Sequence, residues 1–421
     1  MITSIEALNF RCFRYIKQSL NPFNVLVGPN ASGKTTFLEV VSFLGQLVSD
    51  GLESAIASRT NVFHDLVWRR EGTSFELAIE ASIPEELRKK LTDGKFNRIR
   101  YEVAIGILPE TKEIAIFKER AMLKQNDNPV TAPQRVLFPI DGTVPETLFS
   151  SSKPSNKRAI VTKNEASGNV NFHSEVSEKT GKGWTNSFKL GTRRSALANL
   201  PEDETQYPVT TWLKSLLSDG VQPFILNSLA LRRASAPGQL RGFKPDGSNL
   251  PWVVNSLFEK HPARYKNWIA HIQTALPDIE NIRTKERSDD KHRYLIVQYK
   301  NGLEIPSWTV SDGTLRLFAL TIPAYLPEFE GIYLIEEPEN GIHPRAVETM
   351  FQSLSSTYDA QILIATHSPI VLSAAEIDTI LCFAKTSSGA GDIILGSAHP
   401  ALRDWRKETN LGELFAAGIL G

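Results

Sequence analysis

One stretch limits what this chain can fold into: Val25-Leu26-Val27-Gly28-Pro29-Asn30-Ala31-Ser32-Gly33-Lys34-Thr35-Thr36. An apolar strand runs into a glycine-bounded loop and then into a helix, and the loop fits G-x-x-x-x-G-K-[ST], the phosphate-binding loop. The glycines let the backbone curl so that its N–H groups converge, and the helix that follows adds the positive end of its dipole. Gly28, Pro29, Asn30, Ala31, Ser32, Gly33, Lys34, Thr35 and Thr36 are therefore the candidate binding loop for a nucleoside triphosphate. Lys34 is placed to reach the β- and γ-phosphates, and the Thr35 hydroxyl is placed to ligate Mg²⁺. The flanks agree with this. Phe23–Val27 supplies the strand, and Thr35–Val48 supplies a helix with Phe37, Leu38, Val41, Leu44 and Val48 at helical spacing. Val40, Phe43 and Leu47 widen that stripe, which predicts a well-buried helix.

A second anchor lies far downstream. The apolar run Ile332–Ile335 ends in Glu336 and Glu337, with Glu339 two residues on. Adjacent carboxylates at the end of a buried strand repel each other and lose hydration. Mg²⁺ held near Glu336, across from Thr35, offsets that cost, and Glu337 then stands where it orients or deprotonates the attacking water. A third motif is Thr366-His367-Ser368, after the strand Gln361–Ala365. A lone histidine is commonly a surface residue, but the C-terminal end of such a strand is the ligand edge of the sheet, where His367 can donate to the γ-phosphate or to water. The fourth is Val310–Arg316, a polar turn opening an apolar helix, with Ser311 and Gly313 at its start. Two readings of it stay open: a simple N-cap, or an anion site made of free N–H groups and the Ser311 hydroxyl.

Between these motifs, strand-like runs at Ser74–Ile83, Ile99–Ile107 and Glu113–Leu123 predict a β-meander beside the phosphate loop, with a short helix at Pro84–Leu91. Residues 125–187 are polar and rich in Ser, Pro, Gly and Asn, and read as an inserted, partly mobile region. Tyr207–Leu231 and Asn249–Leu276 show helical spacing, and Tyr294–Tyr299 with Leu303–Ile305 reads as a hairpin through Asn301-Gly302. After Trp308, short apolar runs alternate with amphipathic helices, the pattern of parallel strands covered on both faces. A helix from Gly313 towards Leu326 carries Pro323, which kinks or ends it.

Lys+Arg and Asp+Glu are 47 each, so a chain basic throughout is excluded while a local basic patch is not. The short clusters Arg88-Lys89-Lys90, Arg193-Arg194 and Arg232-Arg233 read as solvated faces or as contacts to a nucleic-acid backbone. Cys12 and Cys382 give neither a metal spacing nor a disulfide framework. The N-terminus lacks a signal-peptide core, and no apolar run approaches the ~18 residues of a membrane span. The expectation is a cytoplasmic protein without membrane contact.

The order of the four motifs resembles the ABC-type ATPase head, in the branch that includes RecF, SMC and the OLD family. "IEEPENGIHP" at 335–344, "ATHSP" at 365–369, "LNFRCF" at 8–13 and "LGELFAAGILG" at 411–421 are similar to the OLD-like group in particular. The resemblance implies an α/β P-loop fold with a mixed or parallel core sheet, an antiparallel β subdomain and a helical lobe. It implies ATP and Mg²⁺ as cofactors. Gly28, Gly33, Lys34 and Thr35 are then Walker A, Glu336 the Mg²⁺-side acid, Glu337 the catalytic carboxylate and His367 the switch histidine. Ser311 and Gly313 are the signature, which in this family completes the ATP site of a second copy, so a homodimer or higher homo-oligomer is implied. The signature here reads S-D-G-T rather than S-G-G-Q. His64-Asp65 or a residue near Trp68 stands in the Q-loop region, and Arg11 either approaches nucleotide or is an exposed strand-end residue.

The resemblance covers about 1–80 and 225–421; together with the shift in composition it divides the chain into an N-terminal ATPase lobe (1–124), an inserted, partly flexible region (125–205), a helical lobe (206–310) and a C-terminal ATPase lobe (311–421). There is no long coiled coil of the SMC kind, and no Asp-x-Asp of a Toprim nuclease follows Ser368. The implied partner is a separate effector, a nuclease or toxin, with DNA as a further possible ligand and phage defence as the setting.

Overall fold

The phosphate-loop strand lies inside a six-stranded sheet, and that position explains its sequence. The computed structural model describes residues 1–91, 94–125, 135–149, 156–164, 168–176, 185–239, 242–327, 329–402, 411–416 and 418. Among them the strands are β1 (Ile2–Phe10), β2 (Phe13–Ser19), β3 (Phe23–Val27), β4 (Ser74–Ser82), β5 (Arg98–Ile107), β6 (Ile114–Lys124), β7 (Lys157–Lys163), β8 (Asn169–His173), β9 (Thr185–Lys189), β10 (Val221–Pro223), β11 (Ile279–Glu286), β12 (Arg293–Tyr299), β13 (Glu304–Pro306), β14 (Gly331–Glu336), β15 (Ala360–Ala365), β16 (Ile380–Lys385) and β17 (Gly391–Leu395). The six-stranded sheet has the order β10-β14-β15-β3-β16-β17. Its neighbours are parallel except β16 and β17. Leu26 of β3 belongs to one core with Phe37 and Leu44, while Val25 and Val27 belong to another with Leu315 and Phe318. Both faces are buried, so β3 is apolar throughout and shows no period of two.

The register aligns the chemistry. Leu26 pairs with Ala365, and Ala365 pairs with Glu336. The ends of β3, β14 and β15 therefore form one row, and the phosphate loop, Glu336 and Thr366-His367 all emerge from one edge.

The helix Lys34–Ser49 matches the expected span within a residue at each end and has eleven buried residues. It packs against an eight-stranded antiparallel sheet of order β2-β1-β4-β5-β6-β7-β8-β9. The rings of Phe10, Phe43 and Phe75 meet there with centroids 5.0–6.1 Å apart. A third sheet, β11-β12-β13, packs with the helices Leu250–Lys260 and Pro262–Ala275. No helix among the described residues is long and apolar enough to cross a membrane.

Several expectations need correction. Region 125–205 contributes β7, β8 and β9 to the same sheet as β6, so the sheet runs straight across the boundary expected at 124. These strands bury few side chains, Ile160, Val161, Val170 and Phe172 among them, too few to give a period in sequence. Two buried carboxylates stitch the region's end to the core. Glu175 accepts from the Val209 and Thr210 N–H groups at 2.7 and 2.8 Å, which caps the helix Pro208–Ser218. Glu119 accepts from the Ala196 and Leu197 N–H groups at 2.6 and 2.9 Å. The loop expected at 125–135 lies largely outside the described residues, as does the end of the tail 411–421.

The helix expected over Tyr207–Leu231 stops at Ser218. Residues 221–223 instead form β10, which adds to β14 at the edge of the core sheet. Tertiary pairing overrides local spacing there. His261-Pro262 splits the second helical stretch, and Pro323 lies in a 3₁₀ turn after the helix Asp312–Thr321. The Asn301-Gly302 hairpin forms between β12 and β13.

Candidate functional site

Two glycines set the phosphate loop by close approach. Gly28 has φ +147°, and a Cβ there would lie 2.2 Å from the Phe383 carbonyl oxygen. Gly33 has φ +111°, and a Cβ there would lie 2.8 Å from the Phe13 ring. Inside the curl, Lys34 Nζ donates to the carbonyls of Gly28 at 2.8 Å and Pro29 at 3.1 Å. Burial lowers the Lys34 pKa, and the charges of Glu337 and Glu336 oppose that shift. Ser32 is fully buried with its hydroxyl unpaired, and its N–H donates to the Pro29 carbonyl at 3.3 Å.

Thr35 Oγ1 donates to Glu336 Oε2 at 2.7 Å across 301 residues of chain. Both carboxylates are exposed in the cleft rather than desolvated as expected, since the strand ends at Glu336 and the chain turns outward. Among the described residues no cluster of three or more His, Cys, Asp or Glu could hold a metal. Mg²⁺ bound with a triphosphate needs only one or two protein ligands, because phosphate oxygens and water complete its octahedron. A threonine hydroxyl touching one carboxylate on an open cleft fits that requirement.

Glu337 is held in an uncommon backbone conformation, φ +45°. Its N–H donates to the Ala365 carbonyl at 2.7 Å, and Asn340 Nδ2 donates to its Oε2. Glu339 Oε1 accepts from Thr366 Oγ1 at 2.6 Å and from the His367 N–H at 3.2 Å, which ties the end of β15 to the turn after β14. Asn340 was not singled out from sequence; its place three residues after a catalytic candidate in a tight turn was the available signal.

The cleft has a volume of about 760 Å³ and is lined by Asn30, Ala31, Gly33, Lys34, Thr35, Thr36, Glu336, Glu337 and His367 together. Asp65 and Trp68, from the region where a Q-loop residue was sought, line it as well; His64 does not. Arg11 lines it too, paired with Glu39 at 2.8 Å. Sequence reasoning missed Arg69, Arg70, Ser388 and Gly389, whose backbone turns bring them in from outside any motif.

Ser311 and Gly313 are not part of this cleft. Ser311 Oγ accepts from the Thr314 N–H at 3.3 Å, an N-cap. Gly313 packs against the turn after β14, where a Cβ would lie 2.3 Å from the Gly341 carbonyl oxygen. Asp312 pairs with Arg232 at 2.6 Å.

His367 has its pKa lowered by burial and then by the Lys34 charge, while Glu337 and Glu339 pull it up. A lowered value keeps the ring neutral at pH 7 and to lower pH than an ordinary histidine. If His367 serves hydrolysis as a neutral ring, the acid loss of activity that it causes is therefore expected below its ordinary 6.5. A pH–rate profile checks this: His367→Ala should remove that acid limb, and an unchanged profile would contradict the role.

The family profile described as "AAA domain, putative AbiEii toxin, Type IV TA system" matches residues 23–373. The "Retron Vc95 probable ATPase" of Vibrio cholerae serotype O1 biovar El Tor is 26% identical over 408 residues, covering 90% of this chain and 72% of that protein. The crystal structure of an Smc head bound to the C-terminal winged-helix domain of ScpA aligns with a TM-score of 0.52 at 12% identity, over 93% of this chain and 97% of that one. That last likeness shows the fold, an SMC-type P-loop head. Since the profile spans most of the sequence and both halves of the cleft, the chain belongs to this AAA-domain family of ABC-like P-loop ATPases.

Proposed function

We propose that this protein is a Mg²⁺-dependent ATP hydrolase whose ATP-bound heads dimerise and switch a separate effector, or act on nucleic acid, in defence against phage. The observation that carries it is the contact of Thr35 with Glu336, with Glu337 held beside it by Asn340. In this reading the loop 28–36 holds the phosphates and Lys34 leaves its carbonyls to reach the β,γ-oxygens. Thr35 and Glu336 hold Mg²⁺, which when bound neutralises charge on the β- and γ-phosphates. Glu337 orients a water for in-line attack on the γ-phosphorus and takes its proton. The bond from that phosphorus to the β,γ-bridging oxygen breaks, leaving ADP and phosphate. His367 steadies the γ-phosphate or the water. Ser311 and Gly313 stand outside their own cleft, which fits a role in the site of a second copy. The relative, named for a retron, supports the defence setting, and the motifs at 8–13, 335–344 and 365–369 support an OLD-like head.

One observation favours a second reading. Asp312 stands in the signature where ABC heads carry glycine, and a carboxylate there opposes a partner's γ-phosphate unless Arg232 offsets it. A head that closes weakly serves as an ATP-dependent scaffold with little hydrolysis. Steady-state hydrolysis measured beside native mass, with and without Mg²⁺ and ATP, decides. Turnover that needs Mg²⁺, with ATP-dependent doubling of mass, is expected. Assembly without turnover favours the scaffold, and ATP-dependent, salt-sensitive DNA retention favours a RecF-like clamp.

A further inference from the structure

The rim of the cleft is tied to a stretch of chain that carries no motif. Trp68, Arg69 and Arg70 line the cleft from the 3₁₀ turn after Val67, and Ser388 and Gly389 line it from the turn between β16 and β17. Arg69 and Arg70 keep a left-handed backbone, φ 54° and 58°, which side-chain-bearing residues hold only where the surroundings fix it. Arg69 Nη2 donates to the Ser388 carbonyl at 2.5 Å, across 319 residues of chain, so the two turns are clasped. Residues 135–142 grip the second turn as well. Asp141 accepts from Ser387 Oγ at 2.8 Å, from Ser388 Oγ at 2.6 Å and from the Ser388 N–H at 3.3 Å. Arg135 pairs with Asp392 of β17 at 2.7 Å, and the Ile140 N–H donates to the same carboxylate at 3.0 Å. Further along, Thr147 Oγ1 and the Leu148 N–H donate to Glu76 of β4 at 2.9 and 2.5 Å. Residues 135–149 are thus a strap, fastened to the cleft's turn at one end and to the eight-stranded sheet at the other. Ser388 belongs to both: its N–H and hydroxyl are on the strap, and its carbonyl is on Arg69.

A ligand packed against Ser388 and Gly389 from inside the cleft, and a strap holding them from outside, order the same turn. Once either has ordered it, the other binds with less conformational entropy to lose. We propose that Asp141 is a positioning residue for the nucleotide cleft, and that through it nucleotide binding and docking of the strap 135–149 strengthen each other. This rests on the reading of the cleft as a nucleotide site and adds the segment that senses its occupancy. The coupling is reciprocal, so one factor governs both the strap's effect on the nucleotide and the nucleotide's effect on the strap.

Two measurements on the full chain, with Mg²⁺ present, test this: calorimetric titration of the non-hydrolysable β,γ-imido analogue of ATP, and hydrogen exchange of the Ile140 amide with and without that analogue. Ile140 does not line the cleft, so the analogue cannot shield its amide directly. Asp141→Ala should weaken the analogue by about five-fold or more. Asp141 is exposed and lies outside the core clusters, so the variant should fold. In the parent, saturating analogue should slow exchange at Ile140 by a similar factor, and in Asp141→Ala that slowing should be absent. Undiminished affinity in Asp141→Ala, unchanged exchange at Ile140 in the parent, or slowing that survives the substitution overturns the coupling. A role confined to folding would lower stability without moving the exchange response, and overturns it too. A parent chain that does not bind the analogue, or Lys34→Ala binding it with full affinity, is a different failure: it removes the nucleotide site itself, and the proposal with it.

Discussion

Glu337→Gln is expected to slow ATP hydrolysis by about 10²–10⁴-fold while leaving ATP bound. The substitution is nearly isosteric. The backbone at φ +45° and its N–H bond to Ala365 do not depend on the carboxylate, so the turn should hold. What is lost, on the proposed mechanism, is the negative oxygen that takes the proton of the attacking water. Losing that charge also removes a repulsion toward the γ-phosphate, so the ATP state should live longer. If ATP drives head-to-tail closure of two copies, the variant should accumulate as a dimer in native mass measurements where the parent cycles back to monomer. Two readings are therefore linked in one variant: single-turnover hydrolysis falls, and ATP-dependent mass rises. Hydrolysis at the parental rate would remove Glu337 from the catalytic role. Glu336→Gln is the useful contrast, because Glu336 touches Thr35 and not the water position; its defect should be relieved in part by raising Mg²⁺, and that of Glu337→Gln should not.

What the sequence made legible follows from the physics of each part. A phosphate loop is local: twelve consecutive residues carry strand, glycines and helix start, and the structure assembles them as written. The acids after β14 and the histidine after β15 were legible because parallel strands end at one edge, so motif order fixes their neighbourhood. Their environment was not legible. Glu336 and Glu337 face an open cleft, because burial of β14 stops at Ile335. Likewise β7–β9 pair at the far end of a long sheet, where few side chains are buried and the hydrophobic signal fades. The wall at Trp68–Arg70 carries no motif either, since it depends on two left-handed residues that only the surrounding bonds can hold. Asn340 illustrates the same limit on a smaller scale: its amide matters because the turn folds it back onto Glu337, and turn geometry is invisible to residue type.

Gly28→Ala is expected to be the most damaging single methyl in the cleft. Alanine there would need φ +147° and would place its Cβ 2.2 Å from the Phe383 carbonyl oxygen and 3.0 Å from its carbonyl carbon. That oxygen belongs to backbone on β16, and the register pairs Cys382 with Val27 immediately beside it. It cannot swing aside as a side chain would. Either the loop moves off the sheet edge or β16 shifts against β3, and each disturbs the row that positions Thr35 and Glu336. A stability loss of about 2–4 kcal/mol is expected from the strained φ together with the overpacking, and nucleotide affinity should fall with it because the N–H cradle moves. Gly51 separates the two causes. It also has a positive φ, +89°, but a Cβ there meets nothing within 4 Å. Gly51→Ala should therefore cost only the backbone strain of its glycine-only conformation (φ +89°, ψ 175°), about 1–3 kcal/mol, and should leave nucleotide binding intact. Chemical denaturation of both variants, with titration of the β,γ-imido analogue, measures the difference. If Gly28→Ala unfolds and binds as Gly51→Ala does, the close approach of β16 is not what keeps the first glycine of the loop in place.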